Sequence, residues 1–461
     1  MEQSFFFYDL ETSGLMARAD RIMQFAGQRT DLDLSPIGEP VNLMVKLAED
    51  TLPSPYAIRV TGITPQQTVA DGISEVEFCK YVAKEIFVPG TVAVGYNSVR
   101  FDDEFMRFCF WRNFFDAYEW QWRDGRSRWD LLDVVRLTRA LRPEGIKWPV
   151  DKDGKATNRL ELLTKLNGIA HEAAHDALSD VEALIDVTKM IREKQPQLFE
   201  YLFKMRNKKE VMKLVNLENL QPVVYASGRY SGEFDKTTVV WPLAPAPNGN
   251  LLVFDLRYNL EELGERENYF PIVKELKYNH CPAVAPVGVL EQNDGWGKIG
   301  LSPEVVQRNR DCLLKHPEFA EKMRTLCEER PEFPPAVDAE SALYDGFLDG
   351  NDRVRCDAVR AARDSDLADF HPEFADPRLA ELLLHYKGRN FPHTLDAQEQ
   401  EVWEKYRVGR LKAQRDGYVK AIQELSSQGV DPDLLQELQL WLDGVATALV
   451  EEASMGSDIG M

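Results

Sequence analysis

The sequence predicts an α/β protein that opens on a mixed sheet covered by helices and continues into a small β region and an all-helical region. Three patterns carry this expectation. Strand-like and helix-like segments alternate over the first part, short strands broken by Gly, Pro and Asn run from Pro222 to Val289, and helical spacing takes over from Ala342. A chain of 461 residues exceeds what one hydrophobic core usually organises, and 44% hydrophobic residues suffice for several cores. The expected division is 1–195, 196–341 and 342–461.

Ser4 to Tyr8 is an apolar aromatic strand, and Arg21 to Thr30, Val41 to Leu47 and Thr91 to Tyr96 read as further strands. A helix is expected near Ser74 to Ile86. Others are expected at Asp103 to Phe115, Asp130 to Leu141, Arg159 to Leu166 and Ala177 to Glu193, where apolar residues recur at three- and four-residue spacing. Three strands, a helix, a strand and more helices fit a ribonuclease H-like sheet, although the pattern leaves other α/β arrangements open. Beyond Gln195-Pro196 come Val223-Val224-Tyr225, Thr238 to Trp241 and Leu251 to Phe254, the strands of the β region. No internal repeat or low-complexity tract interrupts the chain.

A net charge of −21 argues against nonspecific adhesion to nucleic acid, which draws its affinity from clustered Lys and Arg. A site that gathers metal ions is acidic by necessity, however, and a basic track can be local. No apolar run is long enough to span a bilayer and the start lacks a secretory pattern, so the expected location is cytoplasmic, with no membrane contact. The six cysteines are scattered without a CxxC pair or a close His partner set, which suggests reduced, buried thiols rather than disulfides or a zinc site.

Asp9-Leu10-Glu11-Thr12 ends the first strand, where side chains two apart share a face, so both carboxylates can address one metal site. In a chain with 76 acidic residues such a pair also arises by chance at a solvated strand end. A second piece is Gly95 to Asp103, a strand, a turn and a helix start, in which Asp102 or Asp103 serves equally well as a helix cap. A third is His175-Asp176-Ala177-Leu178-Ser179-Asp180, where Asp176 is an ordinary cap candidate and Asp180 lies in the first turn of a long helix.

Together the pieces say more than they do apart. Four carboxylates delivered from three elements would repel one another unless cations neutralise them. Two hard cations about 3.5–4 Å apart orient a water, polarise a phosphate and stabilise a leaving oxygen. The attacking water must also lose a proton, and His175 has the chemistry of a general base near neutral pH. Tyr118-Glu119-Trp120-Gln121-Trp122, followed by Arg123, Arg126, Arg128, Arg136, Arg139, Arg142 and Lys147-Trp148, interleaves aromatics with cations as an unpaired strand requires. The rival expectation is that Trp129 and at least half of these aromatics fill the core. A second basic cluster runs from Lys204 and Arg206 through Lys208, Lys209 and Lys213, and a solvated helix face explains it equally well.

The order Asp9-x-Glu11, Asn97 to Asp102, His175 and Asp180 resembles the exonucleases that use four acids and one histidine. Longer runs resemble the bacterial exonuclease I family: Thr61 to Gln66, Tyr96 to Glu104, Ser127 to Val134, Ala140 to Ile146, Leu202-Phe203 with Arg206 to Lys208, and Tyr386 to Phe391. The likeness covers nearly the whole chain and is weakest from about Gly249 to Pro303.

The resemblance implies a ribonuclease H-like exonuclease domain, an SH3-like domain and a helical domain. It implies 3'-to-5' hydrolysis of single-stranded DNA to 5'-mononucleotides in DNA repair and recombination. It assigns Asp9, Glu11, Asp102 and Asp180 to two Mg2+ ions, with Mn2+ able to substitute, His175 as base, and Asp102 over Asp103 as ligand. Strand contacts implied are Glu11, Arg107, Tyr118, Trp122, Arg136, Arg142, Arg159, Tyr201 and Lys208. Among them Arg159, at a helix start, is suited to a bidentate phosphate contact. Partners implied are single-stranded DNA and the acidic C-terminal tail of single-stranded DNA-binding protein, and the expected state is monomeric. The competing expectations are an RNA-directed exonuclease with the same chemistry, a silent single-strand-binding scaffold, and a hydrolase of small phosphate esters.

Overall fold

The computed structural model describes residues 3–171, 176–266, 268–330 and 336–455. The first unit is built on a five-stranded sheet of β1 (Ser4–Thr12), β2 (Ile22–Thr30), β3 (Val41–Met44), β4 (Thr91–Gly95) and β5 (Ser127–Asp130), in the order β3-β2-β1-β4-β5. β1 is antiparallel to β2 and parallel to β4, which is parallel to β5. Alternation along β1 sends Phe5 and Phe7 into one core with Val92, Val94 and Trp129. Phe6, Tyr8 and Leu10 enter a second core with Phe25 and Phe105. Asp9 and Glu11 continue the Phe5 and Phe7 face, and the register shifts between Glu11 and Thr12, where β1 ends.

α1 (Pro55–Thr61), α2 (Pro65–Asp71) and α3 (Glu75–Tyr81) precede β4, and α4 (Asp102–Arg112) and α5 (Leu131–Leu141) flank β5. Then come α6 (Leu160–Asn167), α7 (Ala177–Lys194), α8 (Pro196–Met205) and α9 (Lys208–Leu214). The strand expected to reach Leu47 stops at Met44, because Val45 leaves the ladder to bridge Ile73. The helix expected from Asp130 begins one residue later, since Asp130 is its cap and accepts the Leu132 N–H at 3.0 Å. Helices α1 and α2 escaped the sequence reading because each has seven residues behind a proline, too few to repeat an apolar face. β5 escaped it because four residues run straight into α5.

The second unit carries an antiparallel sheet of β6 (Val223–Ala226), β7 (Thr237–Ala246), β8 (Asn250–Asp255), β9 (Val273–Leu276) and β10 (Ala283–Pro286), in the order β10-β6-β7-β8-β9. α10 (Leu260–Leu263), α11 (Gly295–Lys298), α12 (Pro303–Leu314) and α13 (Pro317–Glu328) complete it. Its core is continuous with the first unit, where Leu137 and Ile191 share one cluster with Val224 and Ala285.

The third unit comprises α14 (Gly350–Ala361), α15 (Asp364–Leu367), α16 (Pro377–Asn390), α17 (Ala397–Ser427) and α18 (Pro432–Met455). Leu411, Tyr418 and Leu438 pack on Met23, Leu52 and Ile58 of the first unit. Beneath this contact Arg389 bonds Asp50 at 2.8 Å and Glu340 at 2.5 Å, and Arg21 bonds Glu340 at 2.7 Å, all with buried side chains. All six cysteines are buried and free, and among the described residues no helix is long and apolar enough to cross a membrane.

Candidate active site

Two strand positions and one helix turn make the centre. Asp9 and Glu11 leave the end of β1 on the face covered by α7, and Asp180 stands in the first turn of α7, whose cap Asp176 accepts the Ser179 N–H at 3.0 Å. One oxygen from each of Asp9, Glu11 and Asp180 lies within 4.8 Å of the others. Asp102 opens α4 nearby. Burial, with Asp102, Asp180 and Glu11 around it, pushes the Asp9 carboxyl well above its usual range. Burial and then Asp180 push Glu11 up to about 8, and burial and then Asp103 push Asp102 up to about 8.

The neighbouring acid Asp103 points elsewhere. It accepts the Tyr8 hydroxyl at 2.5 Å and pairs with Arg128, so its charge is matched within the protein. The turn that presents Asp102 is held from β5. Asn97 takes a left-handed conformation with φ 67°, and the N–H groups of Asn97 and Val99 donate to Asp130 at 2.9 and 3.2 Å. Asp130 therefore ties β4, the start of α4 and the start of α5 together.

Asp180 is also held. His171 reaches it through Nε2, while its Nδ1 meets the Thr164 hydroxyl at 3.0 Å. His175 lies outside the described residues. The sequence reading missed His171, because Thr164 and Asp180 are brought to it only by the fold.

Above the carboxylates opens a cavity of about 530 Å³, lined by Asp9, Tyr96, Asn97, Arg136, Arg159 and Asp180 from the first unit and by Lys236 from the second. Arg159, its side chain 66% exposed, pairs with Glu161, and Arg136 pairs with Asp133 at 2.5 Å. Lys236 is held by backbone bonds from its N–H to Ser231 and from Ser227 to its carbonyl, while Asp235 pairs with Arg139 at 2.9 Å. No local pattern marks Lys236, since it arrives from the turn before β7 of the second unit.

The remaining expected strand contacts lie outside that cavity lining. Arg107 is buried, bonded to Gln121 at 2.8 Å and packed near the Tyr118 ring at 5.6 Å. Tyr118 borders a second cavity of about 280 Å³ with Phe347 and Arg353, and Trp122 is 64% exposed. Arg142 reaches Gln292 of the second unit at 3.0 Å, Tyr201 is half-buried between two cores, and Lys208 is exposed at the first turn of α9. Trp129 and Trp120 are core residues, as the rival expectation held for part of the aromatic set.

Family models cover these three units. The exonuclease model matches residues 6–188, the exonuclease I SH3-like domain 206–329, and the exonuclease I C-terminal domain 337–445. The chain is 39% identical to exodeoxyribonuclease I of Haemophilus influenzae, over 92% of this chain and 93% of that protein. It is 38% identical to exodeoxyribonuclease I of Escherichia coli, over 93% and 94%. The crystal structure of E. coli exonuclease I in complex with a dA16 oligonucleotide superposes with a TM-score of 0.92 at 36% identity, covering 96% of this chain and all of that one. A zinc-bound form of the E. coli enzyme with single-stranded DNA and a structure of SSB with exonuclease I each give 0.90. A carboxylate centre at the end of β1, a mixed sheet and two further units in this order place the chain in the metal-dependent exonucleases, and it belongs to the exodeoxyribonuclease I family.

Proposed function

We propose that this chain removes nucleotides from the 3' end of single-stranded DNA, hydrolysing each phosphodiester to release a 5'-mononucleotide. The observation that carries this reading is the convergence of Asp9, Glu11 and Asp180, with Asp102 beside them, at a cavity that Asp9 and Asp180 line together with Arg136, Arg159 and Lys236. Carboxyls held this far above their usual range hold protons unless a cation replaces them, so the donor set fits divalent metal. Asp9, Glu11, Asp102 and Asp180 would hold Mg2+, as two ions, with Mn2+ able to substitute. Bound there, such ions polarise the scissile phosphate and stabilise charge on the leaving oxygen.

The chain's own groups do the rest. Arg159 and Arg136 neutralise the phosphate as it enters, and Glu11 faces the terminal nucleotide. His171 fixes the carboxylate of Asp180. His175 is the base that takes the proton of the attacking water. Tyr118 and Trp122 offer faces to bases, and Arg107, Arg142, Tyr201 and Lys208 extend the grip along the strand. The three units divide as 1–195, 196–341 and 342–461, and the enzyme acts as a cytoplasmic monomer that docks the acidic tail of single-stranded DNA-binding protein. Its role is in DNA repair and recombination.

The test is digestion of matched DNA and RNA strands, labelled at the 5' end, with magnesium or chelator. Shortening of single-stranded DNA from its 3' end alone, abolished by chelation, is the expected result. Equal loss of RNA would replace the substrate assignment, and no loss of any strand would remove the enzymatic reading.

A further inference from the structure

Among the described residues, two groups bring three metal-type donor atoms within 4.8 Å of one another. One is the active-site set of Asp9, Glu11 and Asp180, and the other is Glu261, Cys312 and His316 in the second unit. The first offers oxygen alone, the donor of hard cations. The second offers a thiol sulfur, an imidazole nitrogen and a carboxylate oxygen, a mixture suited to a borderline ion. We propose that Glu261, Cys312 and His316 form a second metal site, for Zn2+ by donor chemistry, separate from the hydrolytic centre.

The surroundings of each donor support the assignment. Cys312 lies in the last turn of α12, where the helix dipole favours a cation, and His316 follows four residues later at the start of α13. Glu261 comes from α10, so an ion here would join α10 to the α12–α13 junction, which is remote from it in sequence. His316 Nδ1 meets Glu318 at 3.0 Å while its Nε2 faces Glu261 at 3.3 Å. A carboxylate on the outer ring nitrogen is the usual means of aiming a histidine at zinc, because it fixes the ring and raises the basicity of the other nitrogen.

The sulfur is fixed as well. Cys312 is 5% exposed, and its Sγ contacts Asn259 Oδ1 at 3.3 Å. Asn259 is itself held by Asn309 at 3.1 Å and caps α10 through the N–H groups of Glu261 and Glu262. The same small network thus positions both the sulfur and the carboxylate-bearing turn. Glu261 and His316 face solvent, which gives an ion its way in. Three protein donors leave one tetrahedral position for water. The sequence reading found no zinc site because Glu261 is remote in the chain and Cys312 and His316 alone are a weak pair.

The rival account is an imidazolium paired with two glutamates, with the thiol a bystander. Absorption of Co2+ added to the full-length protein separates the two, with Mg2+ in excess to occupy the oxygen-only centre. The expected result is a sulfur-to-cobalt charge-transfer band saturating at one equivalent, lost in Cys312→Ser and in His316→Ala and retained in Asp180→Asn. Zn2+ should abolish the band by displacement. Glu318→Gln, an exposed change that spares the fold, should weaken Zn2+ binding about 10-fold in competition with a chelating dye, as outer-shell changes do. No sulfur band at one equivalent, or a band that survives Cys312→Ser, overturns the proposal.

Discussion

Adjacent carboxylates at the start of α4 have opposite environments, and that difference dictates opposite phenotypes. Asp103 is matched by Tyr8 and Arg128, whereas Asp102 is pushed up by burial and by Asp103. Asp102→Asn should reduce turnover by more than about 100-fold, beyond the loss that an outer-shell change causes, with stability in chelator unchanged or raised. Asp103→Asn strands the buried Arg128 and should cost about 3 kcal/mol of stability, read by urea unfolding, before it affects metal binding. The raised carboxyls also set a pH dependence. Glu11 goes from 4.5 to about 8, so between those values the folded protein binds more protons than the unfolded one. Stability of the chelated protein should therefore fall as pH rises through that window. Thermal melts with and without magnesium should show the slope flattened by the ion. A slope of the opposite sign would mean that the carboxylates are already neutralised by something else. At this scale Asp9, Glu11 and Asp180 were legible in the sequence because strand alternation and a helix start define their faces. The difference between Asp102 and Asp103 was not, since the partners of Asp103, Tyr8 and Arg128, come from other strands.

Among the elements, the β4 turn is the most exposed to a single change. Asp130 accepts the N–H groups of Asn97, Val99 and Leu132. Its replacement by Ala leaves three donors without their acceptor, and should cost about 2–4 kcal/mol from a lost cap and unpaired N–H groups. Turnover should fall with it, because the same turn presents Asp102. If Asp130→Ala melts like the parent, water has replaced the carboxylate and the turn is not held as described. Long amphipathic elements such as α5 and α7 could be read from their spacing, and β1 from its alternation. The short pieces could not. α1 and α2 carry too few residues for a period, and β5 is indistinguishable from the first turn of α5 until pairing with β4 sets it in the sheet.

For the whole molecule, helical docking rests on apolar contact over a buried charge cluster. Asp50 and Glu340, with Arg389 and Arg21 against them, are held below the usual carboxylate range although burial opposes this. A depressed folded value contributes stability that is present at neutral pH and lost as pH falls below about 4, the unfolded range. Acid should therefore loosen the third unit first, and limited proteolysis across a pH series should cut near it before the β sheets. Glu340→Gln should cost about 3–5 kcal/mol, the usual result of breaking a buried pair from one side, and a smaller loss in a thermal melt would mean that Asp50 carries the cluster alone. None of this was visible in sequence, where Arg21 and Asp50 stand hundreds of residues away from Glu340 and Arg389. The second unit is bound differently, by one continuous core and by the segment that carries Lys236 into the cavity over Asp9 and Asp180. A descendant that kept residues 4–194 alone would consequently carry Asp9 and Asp180 in a chamber with one side missing.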